Sequence, residues 1–120
     1  MILSPADRQT IEAELRRAIE ALGQGNDGKA RVCARRASGV ALRAWFQARG
    51  SGATGPGDAQ SLLKLAGGDP GLPQEIRQAA IRLSTAITER DRLPFSDDPV
   101  TDARAIVGAI ESLPPDRRDV

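Results

Sequence analysis

Hydrophobic positions along this chain recur at spacings of three and four, which is typical of amphipathic α-helices. The first series, which lies before Gly23, consists of Ile11, Leu15, Ala18, Ile19 and Leu22. Nowhere do apolar and polar residues alternate convincingly with the period of two that indicates a half-buried β-strand. We therefore predict an all-α protein.

Capping signals divide the chain into about five helices. Ser4 followed by Pro5 predicts the start of the first helix, and a second, central helix is predicted from about Asp27 to Arg49, with Gly39 marking a close helix crossing. The Gly-rich stretch 50–57 indicates a flexible loop. Asp58 is expected to cap a short third helix that ends at Gly67-Gly68.

The fourth helix is predicted to open at Pro73-Gln74 and to run to its charged end, Glu89-Arg90-Asp91-Arg92. Its apolar positions are Ile76, Ala80, Leu83 and Ile87. The last helix carries Val100 to Leu113, and residues 114–120 form a C-terminal tail. Together these elements predict one domain, 1–120, folded as an up-and-down helical bundle with four long helices and one short one.

Composition narrows the possible functions. Aromatic residues make up 2% of the chain, so the core must be built from Leu, Ile, Val and Ala. The net charge of +1 indicates no particular partner. Histidine is absent and Cys33 is the single cysteine, which removes the usual general base and any intramolecular disulfide. We expect a soluble, cytoplasmic protein with no membrane span, no catalytic residue, no metal and no cofactor.

The second helix is unusually basic, because no acidic residue occurs between Asp27 and Asp58. The functional interpretation is a site for RNA, DNA or a nucleotide, with Arg31, Arg35 and Lys29 grouped on one face of the helix. The alternative is a solvated face that pairs with carboxylates of neighbouring helices. The candidate phosphate-binding residues of this helix are Arg31, Arg35, Arg36 and Arg43, while Lys29 and Arg49 complete its positive charge.

Two further groups are candidates for contact with a partner. Arg90 and Arg92 could clamp a phosphate, or they could simply cap the fourth helix and form surface ion pairs. Leu42, Trp45 and Phe46 widen the apolar surface of the second helix, which favours either an interface with another chain or ordinary core packing.

Other reactive groups have structural interpretations. Cys33 falls on the apolar stripe of the second helix and is expected to be a buried thiol. Asp97, Asp98 and Asp102 stand before or at the start of the last helix, where carboxylates serve as caps more often than as magnesium ligands.

The order of elements over residues 29–113 resembles that of the HEPN domain, a small prokaryotic helical bundle found beside minimal nucleotidyltransferases and in some toxins. The resemblance is carried by the Ala- and Arg-rich stretch 34–44, the Gly-rich loop, the short helix at 61–65, the segment 72–76, the Arg-containing end of the fourth helix and the stretch 102–106.

The resemblance implies a bundle that dimerises or pairs with a nucleotidyltransferase in a toxin-antitoxin-type system. Active toxins of the family cleave RNA without metal, using an arginine followed a few residues later by a histidine. Arg90 or Arg92 would take the arginine position, but this chain has no histidine, and the family's Arg-Tyr-Pro stretch is reduced to Arg92-Leu93-Pro94. We therefore expect a non-catalytic module for protein binding or assembly. The alternatives are a nucleotide- or RNA-binding protein and a degenerate ribonuclease.

Overall fold

A computed structural model describes residues 2–50, 58–85 and 98–113 of the chain. These residues form five helices and no strand, which confirms the all-α prediction. The helices are α1 (Pro5–Gly23), α2 (Asp27–Ala48), α3 (Ala59–Gly67), α4 (Gln74–Ser84) and α5 (Pro99–Ser112).

Side-chain caps determine where the helices begin. The Ser4 hydroxyl accepts a hydrogen bond from the Asp7 backbone N–H at 3.0 Å, and the Asp7 carboxylate accepts one from the Ser4 N–H at 3.0 Å. This reciprocal pair satisfies two backbone donors that have no partner within the helix. Asp58 and Asp98 cap α3 and α5 in a similar way, by accepting from Ser61 and Thr101.

The central position predicted for the second helix is confirmed, since α2 packs against each of the other four helices. One hydrophobic core contains buried residues of all five helices and is rich in alanine and aliphatic side chains, as the composition predicts. A small satellite cluster of Ala18, Cys33 and Val100 lies beside it.

The end of α4 differs from the prediction. This helix ends at Ser84 and Thr85 has an extended backbone, so α4 is shorter than the apolar spacing indicated. The hydroxyls of Ser84 and Thr85 both donate to the carbonyl of Ile81, a local bond that competes with helix continuation. Ile87, Arg90 and Arg92 lie outside the described residues, as do the 51–57 part of the predicted Gly-rich loop and the 114–120 tail.

The structure places the three candidate interface residues in the core. Leu42, Trp45 and Phe46 are 0%, 3% and 5% exposed. Trp45 and Phe46 meet edge to face, with their ring centroids 5.1 Å apart. These side chains are covered by their own chain. They therefore pack in the core and do not form an exposed surface for another chain.

Candidate functional site

The basic residues of α2 lie on two faces of the helix, because each residue advances by about 100°. Arg31, Arg35 and Arg49 share one face and are named the inner row. Lys29, Arg36 and Arg43 recur every seven residues on another face, are all exposed, and are named the outer row. The expected grouping of Lys29 with Arg31 and Arg35 is therefore wrong.

The inner row holds the neighbouring elements in place. Arg31 is 8% exposed, and its Nη2 donates to the carbonyls of Arg82, Leu83 and Thr85, the last at 3.1 Å. Arg35 donates from Nε to the Leu83 carbonyl at 2.6 Å. The Arg82 and Leu83 carbonyls belong to the last turn of α4, where carbonyls lack the usual partner four residues later, and Thr85 is the C-cap of this helix.

This arrangement explains the electrostatics of both guanidinium groups. Burial lowers the pKa of Arg31, with a further lowering from neighbouring Arg35 and an opposing effect from Asp102. Burial also lowers the pKa of Arg35. The negative end of the α4 dipole compensates the buried charge. Arg31 and Arg35 thus act inside the bundle. They pair with backbone carbonyls and not, as the alternative interpretation expected, with carboxylates of neighbouring helices.

The third member of the inner row, Arg49, ties the end of α2 to the α3–α4 connection. Its guanidinium carbon lies 4.2 Å from the centroid of the Trp45 ring, and its Nη1 lies 2.8 Å from an Asp69 carboxylate oxygen. A cation–π contact and an ion pair on one guanidinium group fix this side chain.

Two of the three carboxylates that the sequence allowed as magnesium ligands, the α5 cap Asp98 and Asp102 in its first turn, have other partners. Asp98 accepts from the Thr101 backbone N–H at 2.7 Å. Asp102, whose side chain is 3% exposed, lies 2.8 Å from Nη2 of Arg82. In the part of the chain that the structure describes, no group of three His, Cys, Asp or Glu side chains could hold a metal ion. Asp97 lies outside that part.

Two members of the outer row, Arg36 and Arg43, line a groove between α1, α2 and the start of α3, with a volume of about 280 Å³. The side chains that line it are Thr10, Glu14, Arg36, Val40, Arg43 and Ala59, together with the backbone at Gly39. The structure thus brings Arg36 and Arg43 to one site and separates them from Arg31 and Arg35.

Gly39 closes one side of this groove, which confirms the predicted close crossing. A Cβ atom at this position would lie 2.8 Å from Cβ and 3.1 Å from Cα of Ala59. The start of α3 therefore packs directly against the α2 backbone, and Asp58, its cap, lies next to the site. The hydrogen bonds that Asp58 accepts from Ser61 lower the pKa of its carboxyl group.

Glu14 is the residue of this site that the sequence interpretation missed. It is 9% exposed, although it was not among the apolar positions of the first helix. Its Oε2 lies 3.3 Å from Nη1 of Arg17, whereas its Oε1 is buried without a hydrogen-bond partner. The spacing of Glu14 from Ile11 and Ala18, three and four residues, was the signal that could have placed it on the buried face.

Cys33 lies near this carboxylate, and its thiol is 2% exposed. Burial raises the pKa of the Cys33 thiol, and the charge and hydrogen bond of Glu14 raise it further against the smaller opposite effects of Arg36 and Lys29. A thiol held neutral in this way is a poor nucleophile. Cys33 is therefore a packing residue, as the apolar stripe predicted.

In the part of the chain that is described, no helix has the length and apolar character needed to cross a membrane. Comparisons with protein-family models, with curated proteins and with solved structures each found no match for this chain. The described helices define the class of the protein by themselves: an all-α bundle of five helices around a central α2. The resemblance to the HEPN domain stays a prediction.

Proposed function

We propose that this protein is a binding module that contacts single-stranded nucleic acid through the outer row of α2. The observation that carries this proposal is the exposure of Lys29, Arg36 and Arg43 on one face of one helix. Successive members are about 10 Å apart along the axis, at 1.5 Å per residue. Cations in such a row concentrate positive potential against a phosphate backbone.

The charges of α2 itself support the same proposal. No acidic residue occurs between Asp27 and Asp58, so α2 beyond its first residue brings no carboxylate of its own to the surface. Among the described residues neither Lys29 nor Arg36 forms an ion pair. The described aromatic side chains, Trp45 and Phe46, are buried and offer no platform for base stacking. Phosphate contacts must then supply most of the affinity, which makes binding sensitive to salt.

The test is the salt dependence of binding to a labelled, mixed-sequence single strand, measured by fluorescence anisotropy with both the RNA and the DNA version. Three phosphate contacts give a slope of about −2 for log K against log salt concentration, and each lost contact reduces the slope by about 0.7. We expect Arg36→Gln and Arg43→Gln each to reduce the slope by this amount.

Arg104→Gln is the matched control, because Arg104 is an exposed arginine on a different helix, α5. It should leave the slope unchanged. Absence of binding at low ionic strength, or an equal effect of all three substitutions, would contradict the proposal. Arg31 and Arg35 are unsuitable for this test, since their replacement would perturb the end of α4.

The interpretation as an assembly module stays a prediction. Its candidate residues, Leu42, Trp45 and Phe46, are buried, and a pairing with a nucleotidyltransferase rests on the resemblance alone. The degenerate-ribonuclease interpretation depends on Arg90 and Arg92, which lie outside the described residues.

A further inference from the structure

The lining of the groove includes Glu14, a residue with a buried and unpartnered acceptor atom. Glu14 Oε1 has no hydrogen-bond partner, Oε2 is paired with Arg17, and the hydrogen bond of this carboxylate with Cys33 involves a thiol, which is a weak donor. A buried oxygen in this state destabilises the fold, and most such atoms in proteins have a partner. A ligand that donates a hydrogen bond to the Glu14 carboxylate would remove this penalty.

Two kinds of recognition chemistry meet in the groove. Arg36 and Arg43 belong to its lining and carry guanidinium groups, which suit a phosphate. Glu14 also belongs to the lining and carries a buried carboxylate, which suits an N–H donor. Inorganic phosphate or an acidic side chain would satisfy only the arginines. A nucleotide carries an anionic group and a base with N–H donors in one molecule, so it satisfies both.

The size of the groove and the geometry of a carboxylate narrow the ligand further. Its volume of about 280 Å³ is near the lower limit of about 300 Å³ for small-molecule sites, which leaves room for a single nucleotide. The last torsion of a glutamate side chain is soft, so the Glu14 carboxylate can turn both oxygens toward a ligand, and this turn disturbs only the ion pair with the exposed Arg17. Two adjacent oxygens match the two adjacent N–H donors on the Watson–Crick edge of guanine, whereas adenine has an acceptor at one of these positions.

We infer that this groove binds one guanine nucleotide of a single strand, with Arg36 and Arg43 on the phosphate and Glu14 on the base edge. The inference rests on the proposed function, because the strand that binds along the outer row is the source of the nucleotide in the groove. It makes Glu14 the residue that determines base specificity.

The experiment compares oligouridylate strands that contain one central guanine or one central adenine. Wild-type protein should bind the guanine strand about tenfold more tightly, the order expected for a bidentate base contact. Glu14→Gln replaces one acceptor oxygen by a donor and should abolish this preference. Glu12→Gln makes the same chemical change at an exposed position of α1 and should retain it.

Titration with guanosine 5′-monophosphate, adenosine 5′-monophosphate and inorganic phosphate separates the two proposals. Salt-dependent binding of both strands without a guanine preference in the wild type would overturn the role of Glu14 and leave the proposed function standing. Binding of the guanosine monophosphate alone, with no affinity for either strand, would overturn the proposed function but retain the nucleotide site. If Glu14→Gln lost its helical circular dichroism, the variant would be unfolded. The comparison of the guanine and adenine strands on the wild-type protein would still decide the inference.

Discussion

The guanidinium group of Arg31 joins two helices because it reaches backbone carbonyls in the last turn of α4 and at the C-cap of that helix, Thr85. Arg31 donates to three of them, and Arg35 reaches the same end of α4. A charge buried at the negative end of a helix dipole is compensated there, whereas the same charge facing an apolar core would not be. One side chain thus fixes the position of α4 against α2.

Replacing Arg31 by methionine should therefore destabilise the protein. Met keeps the length of the side chain but removes the charged donor, so the carbonyls of Arg82 and Thr85 keep only bonds of 3.3 and 3.4 Å. We expect the free energy of unfolding to fall by about 1.5–3 kcal/mol. Urea denaturation measures this change.

Arg36→Met provides the comparison for that substitution, since Arg36 is exposed on the same helix. Its effect on the free energy of unfolding should stay within about 0.5 kcal/mol. Equal effects of the two substitutions would mean that the bonds of Arg31 to α4 contribute nothing to stability.

At the scale of elements, the approach of α3 to α2 depends on the missing side chain at Gly39. Ala59 occupies the space in which a Cβ atom would lie. The same approach forms one wall of the groove, so packing at this crossing also shapes the candidate site.

Gly39→Ala tests the crossing. Alanine favours a helix over glycine by about 1 kcal/mol, so an effect of helix propensity alone would stabilise the protein. We expect the opposite sign, because the clash with the Ala59 backbone forces α3 to shift, and overpacking costs about 1–3 kcal/mol. Thermal unfolding, monitored by circular dichroism, shows whether the variant is less or more stable than the wild type.

Gly108→Ala is the control for this prediction. Gly108 lies within α5, and a Cβ atom there would meet nothing within 4 Å. This variant should gain about 0.5–1 kcal/mol. If Gly39→Ala were stabilised to the same extent, α2 and α3 would have space for a Cβ atom at position 39, and the prediction would be wrong.

The described residues share one principal core, and this core includes side chains from all five helices. Since α2 contacts every other helix, no pair of helices is independent of it. Small domains with one core usually unfold in a single cooperative step.

Trp45 reports on that step, because it is the single tryptophan of the chain and is 3% exposed in the core. We expect its fluorescence and the far-ultraviolet circular dichroism of the helices to give the same denaturation midpoint. Two separate midpoints would show that part of the bundle unfolds on its own, and would contradict the prediction of one domain.

Local signals in the sequence predicted most of the fold. The Ser4 and Asp58 caps and the apolar spacing of α1 act between residues close in the chain, so they can be recognised without knowledge of the tertiary structure. The extent of α4 could not be predicted in this way. Its apolar spacing continues to Ile87, whereas its end at Ser84 coincides with contacts from Arg31 and Arg35, about fifty residues earlier in the chain.

The candidate site was predicted only in part for the same reason. Arg36 and Arg43 were candidates from their charge, but charge does not distinguish them from Arg31, which faces the end of α4. Glu14 is not one of the apolar positions of the first helix, and only the packing of α1 against α2 places it in the lining of the groove.

The sequence by itself determined that this chain forms helices, where most of them begin, and that it lacks an imidazole for proton transfer. Only the tertiary structure decided which cations face solvent, which aromatic residues fill the core, and which carboxylate keeps one oxygen without a partner in a groove lined by two arginines. The physical reason is range: caps and apolar periodicity act over a few residues, whereas burial and charge pairing depend on segments that are distant in the chain and meet only when it folds.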